Sequence, residues 1–185
     1  PTSTLSLPAA DLTIFDSTQP LTNTLPADAI LWINPLQSTD YFTLTGSLTN
    51  PVPVPAQGET PLLNNVSLET VNILDAQQLS APAWLHPQIV AQSQDGSSDP
   101  LLLTGENQGQ RLAVLAFDLR RSDLPLQIAF PILLNNLLEW LAPGGQSAPT
   151  QLSPGELLTL SVPLGAPPDA NLQILPPKGP AVRLQ

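Results

Sequence analysis

The densest group of charged side chains in the sequence reads DLRRSD and begins at Asp118. It follows a continuous apolar run, so we expect these charges at the end of a buried strand. Open α/β sheets bind ligands at the carboxyl ends of their strands, and the group could hold an anionic ligand or a protein partner there. The candidate residues are Asp118, Arg120, Arg121 and Asp123.

The same residues also have a structural interpretation, which we favour. Asp123 or Ser122 would cap the following turn and helix, and Asp118 would pair with an arginine. Charge clusters near helix starts commonly satisfy caps and ion pairs in this way. The sequence alone leaves both interpretations open.

Asp16, Ser17 and Thr18 follow another apolar run. In a metal-ion-dependent adhesion site, a D-x-S-x-S pattern lets one carboxylate and two hydroxyls share a Mg²⁺. Here Pro20 holds the fifth position and offers no side-chain ligand. We therefore favour a strand end with an Asx turn and predict no metal site.

His86 is the only histidine, and Trp84 lies two residues before it. The pair could line an aromatic pocket in which Glu69 or Asp75 orients the imidazole. A lone histidine without a second histidine or cysteine is a poor metal site, and the sequence has no G-x-S-x-G elbow. We favour a surface or half-buried histidine and predict no catalytic residue.

Composition excludes several classes of function. The net charge is −10 with five basic residues, whereas nucleic-acid binding requires clusters of Lys and Arg. The sequence has no cysteine, which removes thiolate nucleophiles and cysteine-based zinc sites. No apolar run approaches the ~18 residues of a membrane span. We predict no cofactor, and the low density of charge with its acidic bias favours a secreted or extracytoplasmic protein.

Two apolar runs, Leu12–Asp16 and Ala29–Asn34, are typical of strands buried in a parallel sheet. The crossover between them, Thr18–Asp28, is broken by proline and is a poor helix.

The following region favours antiparallel structure. We predict an edge strand at Tyr41–Leu44, and the proline-rich Asn50–Pro55 cannot be a central strand. Glu69–Gln78 and Trp84–Ala91 are predicted as short strands of an antiparallel extension.

Pro100–Thr104 and Arg111–Asp118 predict a hairpin around a polar turn at Gly105–Gln110. A helix then begins near Pro131, where a missing N–H costs nothing, and ends at Pro143. Its apolar residues follow helical spacing. They are Phe130, Leu133, Leu134, Leu137, Leu138 and Leu141.

The composition changes after this helix. We therefore predict one domain over residues 1–146 and a short β-module over 147–185. The predicted strands of the module are Glu156–Val162, Leu172–Leu175 and Ala181–Leu184. They resemble the start of a β-sandwich.

The strand LAVLAFDL (112–119) followed by RRSDLPLQIAFPILLNNLLEWLAP (120–143) resembles the hallmark segment of large bacterial membrane proteins of the BatA type. Segments 11–35, 60–79 and 99–119 fit the same family in order, so the resemblance covers about residues 10–143. Those proteins carry a von Willebrand factor A domain and an extracytoplasmic domain similar to class I glutamine amidotransferases.

The resemblance implies an α/β fold: a flavodoxin-like, amidotransferase-like sheet with flanking helices, its N-terminal part lying upstream of Pro1, followed by a small all-β module. Amidotransferases of this class use a Cys nucleophile with a His and a Glu, and this sequence has no Cys. No catalytic residue is therefore carried over.

We expect a non-catalytic interaction module with a protein partner, on the extracytoplasmic face of a bacterial membrane and within a membrane-anchored parent. One alternative is a degenerate enzyme-like domain that binds a small ligand at its strand ends through Asp118, Arg120 and Arg121. Both arginines would then face into a pocket. A hydrolase with unrecognised chemistry is the remaining alternative.

Overall fold

The structure, a computed structural model, describes residues 10–18, 29–58, 60–92 and 98–143, together with the backbone of 173–174 and 182–183. The chain forms two compact units, Pro1–Gln146 and Ser147–Gln185.

The first unit is a mixed α/β structure. Its strands are β1 Thr13–Asp16, β2 Ala29–Ile33, β3 Thr43–Thr49, β4 Pro53–Pro55, β5 Asp75–Ser80, β6 His86–Gln92, β7 Ser98–Asn107 and β8 Gln110–Leu115. Among the residues described, one α-helix occurs, α1 Ala129–Leu141. Short 3-10 turns cover Pro61–Leu63, Leu119–Arg121 and Leu124–Leu126.

Six strands form one sheet in the order β1-β2-β8-β7-β6-β4. The neighbours β1, β2 and β8 are parallel, whereas β8, β7, β6 and β4 pair antiparallel. The predicted parallel pairing of the first two apolar runs is therefore confirmed. β1 lies at one edge of this sheet, however, and Phe15 is its one fully buried residue.

The sheet alternates its apolar side chains between two cores because successive residues of a strand face opposite sides. In β2, Leu31 packs on one side and Trp32 on the other. In β8, Ala113 and Val114 divide in the same way. The central strands thus contribute to both cores.

The helix α1 covers one face of the sheet. Residues spaced four apart form its fully buried stripe, namely Ala129, Leu133, Leu137 and Leu141. Phe130, Leu134 and Leu138 flank this stripe and are half-buried. The predicted helix, with proline in its first turn and an end just before Pro143, is confirmed.

The opposite face is covered by aromatic and aliphatic side chains from non-helical segments. Trp32 stacks on Phe15 with ring centroids 5.1 Å apart and meets Phe42 edge-on at 5.4 Å. Leu79 and Leu85 complete this core. The flanking helices that the resemblance implies are represented in the described residues by α1 alone. On the opposite face, β3, β5 and the turn before β6 take the place of a helix.

The hairpin of β7 and β8 is longer than predicted. Gln108 and Gly109 both have positive φ, 53° and 82°, as a two-residue type I′ turn requires. The expected turn at Gly105–Gln110 is thus wrong, since Gly105 lies inside β7. β8 also ends at Leu115 rather than at Asp118, because a 3-10 turn redirects the chain there.

Two other antiparallel elements differ from the prediction. The expected edge strand at Tyr41–Leu44 runs over Thr43–Thr49 instead, and it pairs with β5 in a separate two-stranded sheet. β5 itself begins at Asp75, later than the predicted start at Glu69, because a turn occupies the preceding residues. The strand predicted at Trp84–Ala91 runs over His86–Gln92 as β6, and it pairs antiparallel with β7 in the main sheet.

The proline-rich strand β4 lies at the edge of the six-stranded sheet, which confirms that it is not central. The carbonyl of Val52 and the N–H of Ala56 both bond to β6. By alternation, Pro53 and Pro55 occupy the positions whose N–H would point away from the sheet. Prolines at such positions leave no donor for a further strand.

In the second unit, β9 (Gln173–Ile174) and β10 (Val182–Arg183) pair antiparallel. They fall within the predicted strands Leu172–Leu175 and Ala181–Leu184. The predicted strand Glu156–Val162 lies outside the described residues, as does nearly all of the crossover Thr18–Asp28.

Replacing Leu137 with Ala should lower the free energy of unfolding by ~2–5 kcal/mol, because the lost methyl groups leave a cavity between helix and sheet. Leu134→Ala is the matched control, since Leu134 lies on the half-buried flank of the same helix. Urea denaturation of both variants tests this packing. Equal losses for the two variants would contradict it.

Replacing Gly105 with Ala should destabilise the fold by about 1–3 kcal/mol through overpacking. A Cβ atom there would lie 2.2 Å from the carbonyl oxygen of Trp84 and 3.1 Å from Cα of Leu85, both of them backbone atoms. Gly46→Ala is the control, because the nearest atom there is the flexible amide end of Gln78. Thermal melts of the two variants should differ clearly, and similar melting temperatures would refute the close approach.

Candidate functional site

The parallel strands β1, β2 and β8 end together at one edge of the sheet. Their register places Asp16 beside Ile33, and Ile33 beside Leu115. The chain therefore presents the residues that follow these three strands side by side. We call this edge the carboxyl edge.

Two residues at the carboxyl edge adopt left-handed backbone conformations. Ser17 has φ 48° and Asn34 has φ 49°. Their N–H groups donate to the carbonyls of Ile33 and Leu115, at 2.9 Å each, so each strand end stays bonded to its neighbour as the chain turns away. The turn directs both side chains into one polar network.

The hydroxyl of Ser17 is the centre of this network. It accepts from Nδ2 of Asn34 at 3.0 Å and from Nη2 of Arg120 at 3.3 Å, and it donates to Oδ1 of Asp16 at 3.2 Å. A hydroxyl oxygen has two lone pairs, and here each receives a donor. The Ser17 oxygen is therefore held as an acceptor and is not poised as a nucleophile.

The Asp16 carboxylate faces a guanidinium. Nη2 of Arg120 lies 3.8 Å from Oδ1 of Asp16. Within the described part of the chain, no three His, Cys, Asp or Glu residues lie close enough together to hold a metal ion. The strand does end at Asp16, as the structural interpretation of this motif expects.

Asp118 and Arg120 form a local pair. Oδ1 of Asp118 accepts from the backbone N–H and from Nε of Arg120, both at 2.9 Å, and so caps the 3-10 turn Leu119–Arg121. The hydrogen bond from the Arg120 side chain lowers the pKa of the Asp118 carboxyl below its ordinary value. The predicted pairing of Asp118 with an arginine is thus present.

Arg121 reaches a residue 46 positions away in the sequence. Its Nε donates to both carboxylate oxygens of Asp75, at 2.8 and 2.6 Å, and its Nη2 also contacts Asp75. This bond lowers the pKa of Asp75 and raises that of Arg121. The backbone carbonyl of Arg121 also accepts from the N–H of Leu74.

Asp123 binds Asn72 twice. Its carboxylate accepts from the Asn72 N–H at 2.7 Å and from the Asn72 Nδ2 at 2.8 Å, which lowers the pKa of Asp123. Asp123 stands at the N-cap of the turn Leu124–Leu126, as predicted, but its side chain makes no capping bond. The predicted cap of the helix is wrong, because Ile128 stands at the N-cap of α1 without a side-chain bond.

The predicted site residues thus lie in one region, but each hydrogen-bonds to a different partner and they do not converge on one site. Together, residues 118–123 and 72–75 form what we call the clamp, which joins the end of β8 to the start of β5. The side chains of Arg120 and Arg121 are 69% and 54% exposed, so neither guanidinium turns into a pocket as the small-ligand hypothesis expects.

Sequence analysis missed Asn34, although it follows a buried strand as Asp16 does. No local signal marks Asn72.

Trp84 and His86 do not share a pocket. Trp84 lies in the turn before β6 and packs edge-on against Tyr41 at 6.3 Å, on the face opposite α1. His86 begins β6 and lines a groove of about 660 Å³ together with Trp140. The predicted partner Asp75 is bound by Arg121 instead.

Comparison with known proteins does not assign the chain to a family. No family model and no curated protein matches the sequence. Similar solved structures include cytoplasmic protein STM1381 from Salmonella typhimurium LT2, with 15% identity and a TM-score of 0.49, and cytoplasmic protein STM3548 from Salmonella typhimurium, with 16% identity and a TM-score of 0.47. Each match covers 60% of this chain and 54% of the other, so this chain spans about half the length of those proteins. TM-scores below 0.5 support no inference about function.

No helix within the described ranges is long and apolar enough to cross a bilayer.

The clamp should make the free energy of unfolding fall at acid pH. The folded pKa values of Asp75, Asp118 and Asp123 lie below the ordinary 3.8, so their stabilisation is present above that pH and is lost as pH falls through the folded values. Asp75→Asn should lower the free energy of unfolding at neutral pH and flatten this acid dependence. Urea denaturation between pH 7 and about pH 2 measures both effects, because the series then passes below 3.8 toward the folded pKa values. The exposed Asp40, changed to Asn, controls for the loss of one charge, and an identical pH profile for the two variants would contradict the role of the clamp.

Proposed function

We propose that the chain is a non-catalytic, extracytoplasmic interaction module of a membrane-anchored bacterial protein that carries a von Willebrand factor A domain. We further propose that its first unit is a flavodoxin-like domain similar to class I glutamine amidotransferases. The resemblance of residues 112–143 to the BatA-type segment supports both parts. The parallel neighbours β1, β2 and β8, with α1 following β8, are compatible with that fold.

One observation carries the interaction role. In the segment that follows β8, the charged side chains are bonded to other residues of the clamp. Leu126 and Ile128 of the same segment are 89% and 82% exposed. Large apolar side chains this exposed are typical of partner surfaces when they cluster. We call these two residues the apolar tip.

Hydrogen bonds of the backbone and of Gln127 order the segment that carries the apolar tip. The N–H groups of Leu126 and Gln127 donate to the carbonyls of Asp123 and Leu124, both at 2.9 Å. The Gln127 side chain also exchanges hydrogen bonds with Thr70 at 3.4 Å. A surface ordered in advance loses little entropy on binding, which favours a docking role.

The missing cysteine and the saturated Ser17 hydroxyl support a role without catalysis. Class I amidotransferases attack through a thiolate, which this sequence cannot supply. Ser17, at the carboxyl edge, already receives two donors.

A second candidate function is the binding of a small anion at the carboxyl edge. It is favoured by the convergence of Asn34 and Arg120 on Ser17, because both are donors and Arg120 is largely exposed. An anion would have to replace the Ser17 and Asp118 oxygens as partners of Arg120.

To test the interaction role, a photoreactive amino acid is placed at Ile128 in the membrane-anchored parent. We expect a discrete cross-linked product from this position and none from the exposed Asp40, which precedes Tyr41 and Phe42 of the core on the face opposite α1, with Leu126→Ser reducing the product several-fold. Leu126→Ser should change the unfolding free energy by no more than ~0.5 kcal/mol, as surface substitutions usually do.

Identical labelling from both positions would overturn the proposal. So would robust turnover in a panel of amidase, esterase and glutaminase substrates that a single substitution abolishes. Saturable phosphate binding that Arg120→Gln removes would favour the second candidate.

A further inference from the structure

The edge of the sheet opposite the carboxyl edge carries a groove that the proposed function does not use. Its floor is formed by β6 and β7, and its walls by the C-terminal half of α1 and the turn at residues 60–64. Nδ2 of Asn136 donates to the carbonyls of Leu62 and Asn64, at 3.1 Å each, and so ties the two walls together. The two walls of the groove are therefore held together by hydrogen bonds.

The groove has the volume for several residues of a peptide. Its volume of about 660 Å³ adjoins a second cavity of about 390 Å³ that runs toward residues 56–58. The two cavities share Thr60, Pro61, His86 and Gln88 as lining residues. A trough of this form suits several residues of a peptide better than a single ion.

An internal arginine shows how a cation is bound beside this groove. Nε of Arg111 lies 3.0 Å from Oε2 of Glu106, and its Nη1 donates to the carbonyl of Trp140 at 2.7 Å. Its guanidinium carbon lies 5.7 Å from the centroid of the Trp140 ring. A carboxylate, a carbonyl at the end of a helix and an aromatic face thus act on one cation.

A second carboxylate of the groove has no cation in the described residues. Glu139 accepts from Nδ2 of Asn135 at 2.9 Å, which is a neutral donor. The last turn of α1 contains no basic residue of its own, and the cation at its C-terminal end is Arg111, which donates to the Trp140 carbonyl. Arg111 pairs with Glu106, so the Glu139 carboxylate has no cationic partner in the described residues.

The excess of acidic over basic residues in the whole chain also favours a basic partner. Fifteen acidic residues face five basic ones. Arg111, Arg120 and Arg121 each already hold a carboxylate, so most acidic groups have no cation within the first unit. Such a surface attracts basic partners and speeds their association.

We propose that this groove binds a basic peptide segment of a protein partner, with one Arg or Lys side chain paired to Glu139 beside Trp140. Gln88 and Asn64 line the same groove and can bond the peptide backbone. This inference rests on the proposed interaction role and assigns it a second surface, distinct from the apolar tip.

The test uses acetylated, amidated tetra-arginine, with tetra-citrulline as the neutral probe of the same shape. In low salt, tetra-arginine should shift the Trp140 indole resonance in a saturable way, and tetra-citrulline should not. Glu139→Gln should weaken binding about three- to tenfold, as expected for one partly screened ion pair next to an aromatic ring.

Glu69→Gln is the matched control and should leave the affinity unchanged. Glu69 is likewise exposed, and its neighbour Thr70 bonds Gln127 just before α1 begins. It therefore lies at the other end of a helix that is ~20 Å long. Circular dichroism should show both variants to be folded.

Three results would overturn the groove as a site for basic peptides. These are equal binding of the two peptides, equal effects of the two glutamate variants, and saturable binding of a neutral oligosaccharide in place of tetra-arginine. Persistent cross-linking from Ile128 in any of these cases would leave the interaction role intact. Loss of that cross-linking together with normal tetra-arginine binding would place the failure in the proposed function instead.

Discussion

The burial of β2 and β8 on both faces organises the first unit. Each strand alternates its side chains between the core under α1 and the aromatic core on the other face, as Leu31 and Trp32 do in β2. Strands buried in this way have to pair on both edges, because an unpaired backbone group in an apolar core costs several kcal/mol. β2 therefore lies between β1 and β8, and β8 lies between β2 and β7.

The polar features at the carboxyl edge follow from this pairing. Because β1, β2 and β8 run in the same direction, their ends meet, and residues far apart in sequence come together. Ser17 and Arg120 are 103 positions apart and share a hydrogen bond. The clamp then anchors the chain after β8 to the start of β5, so that α1 begins from a fixed point. The exposure of the apolar tip is a consequence of this anchoring, because residues 124–128 bridge the clamp and the helix.

Elements that depend on local pattern could be predicted from the sequence. The run at Ala29–Asn34 indicated a buried strand, and leucine at helical spacing indicated the buried stripe of α1. The contacts that complete the candidate site could not be predicted, because they join distant segments whose local sequences carry no signal. Nothing in the sequence around Asp75 marks it as the partner of Arg121.

Trp84 and His86 show a second reason why side-chain positions could not be predicted from the sequence. Two residues at a spacing of two share a face in a strand, but β6 begins only at His86, and Trp84 belongs to the preceding turn. The strand boundary therefore decides on which side each ring lies, and strand boundaries are the least certain part of any assignment from sequence. Gly105 fixes this arrangement, because the backbone at Trp84 and Leu85 crosses β7 where no side chain intervenes.

The two edges of the sheet use charge in opposite ways. At the carboxyl edge, the clamp pairs arginines with carboxylates over short distances, and paired charges on an exposed surface add little net attraction for a partner. At the opposite edge, Arg111 binds Glu106 and the Trp140 carbonyl at the end of α1, while Glu139 remains without a cation in the described residues. An excess of one sign beside an aromatic ring is the arrangement that selects a partner by charge. If both proposed surfaces bind partners, the apolar tip supplies contact area and the groove supplies selectivity, and each can be altered without disturbing the core that holds them.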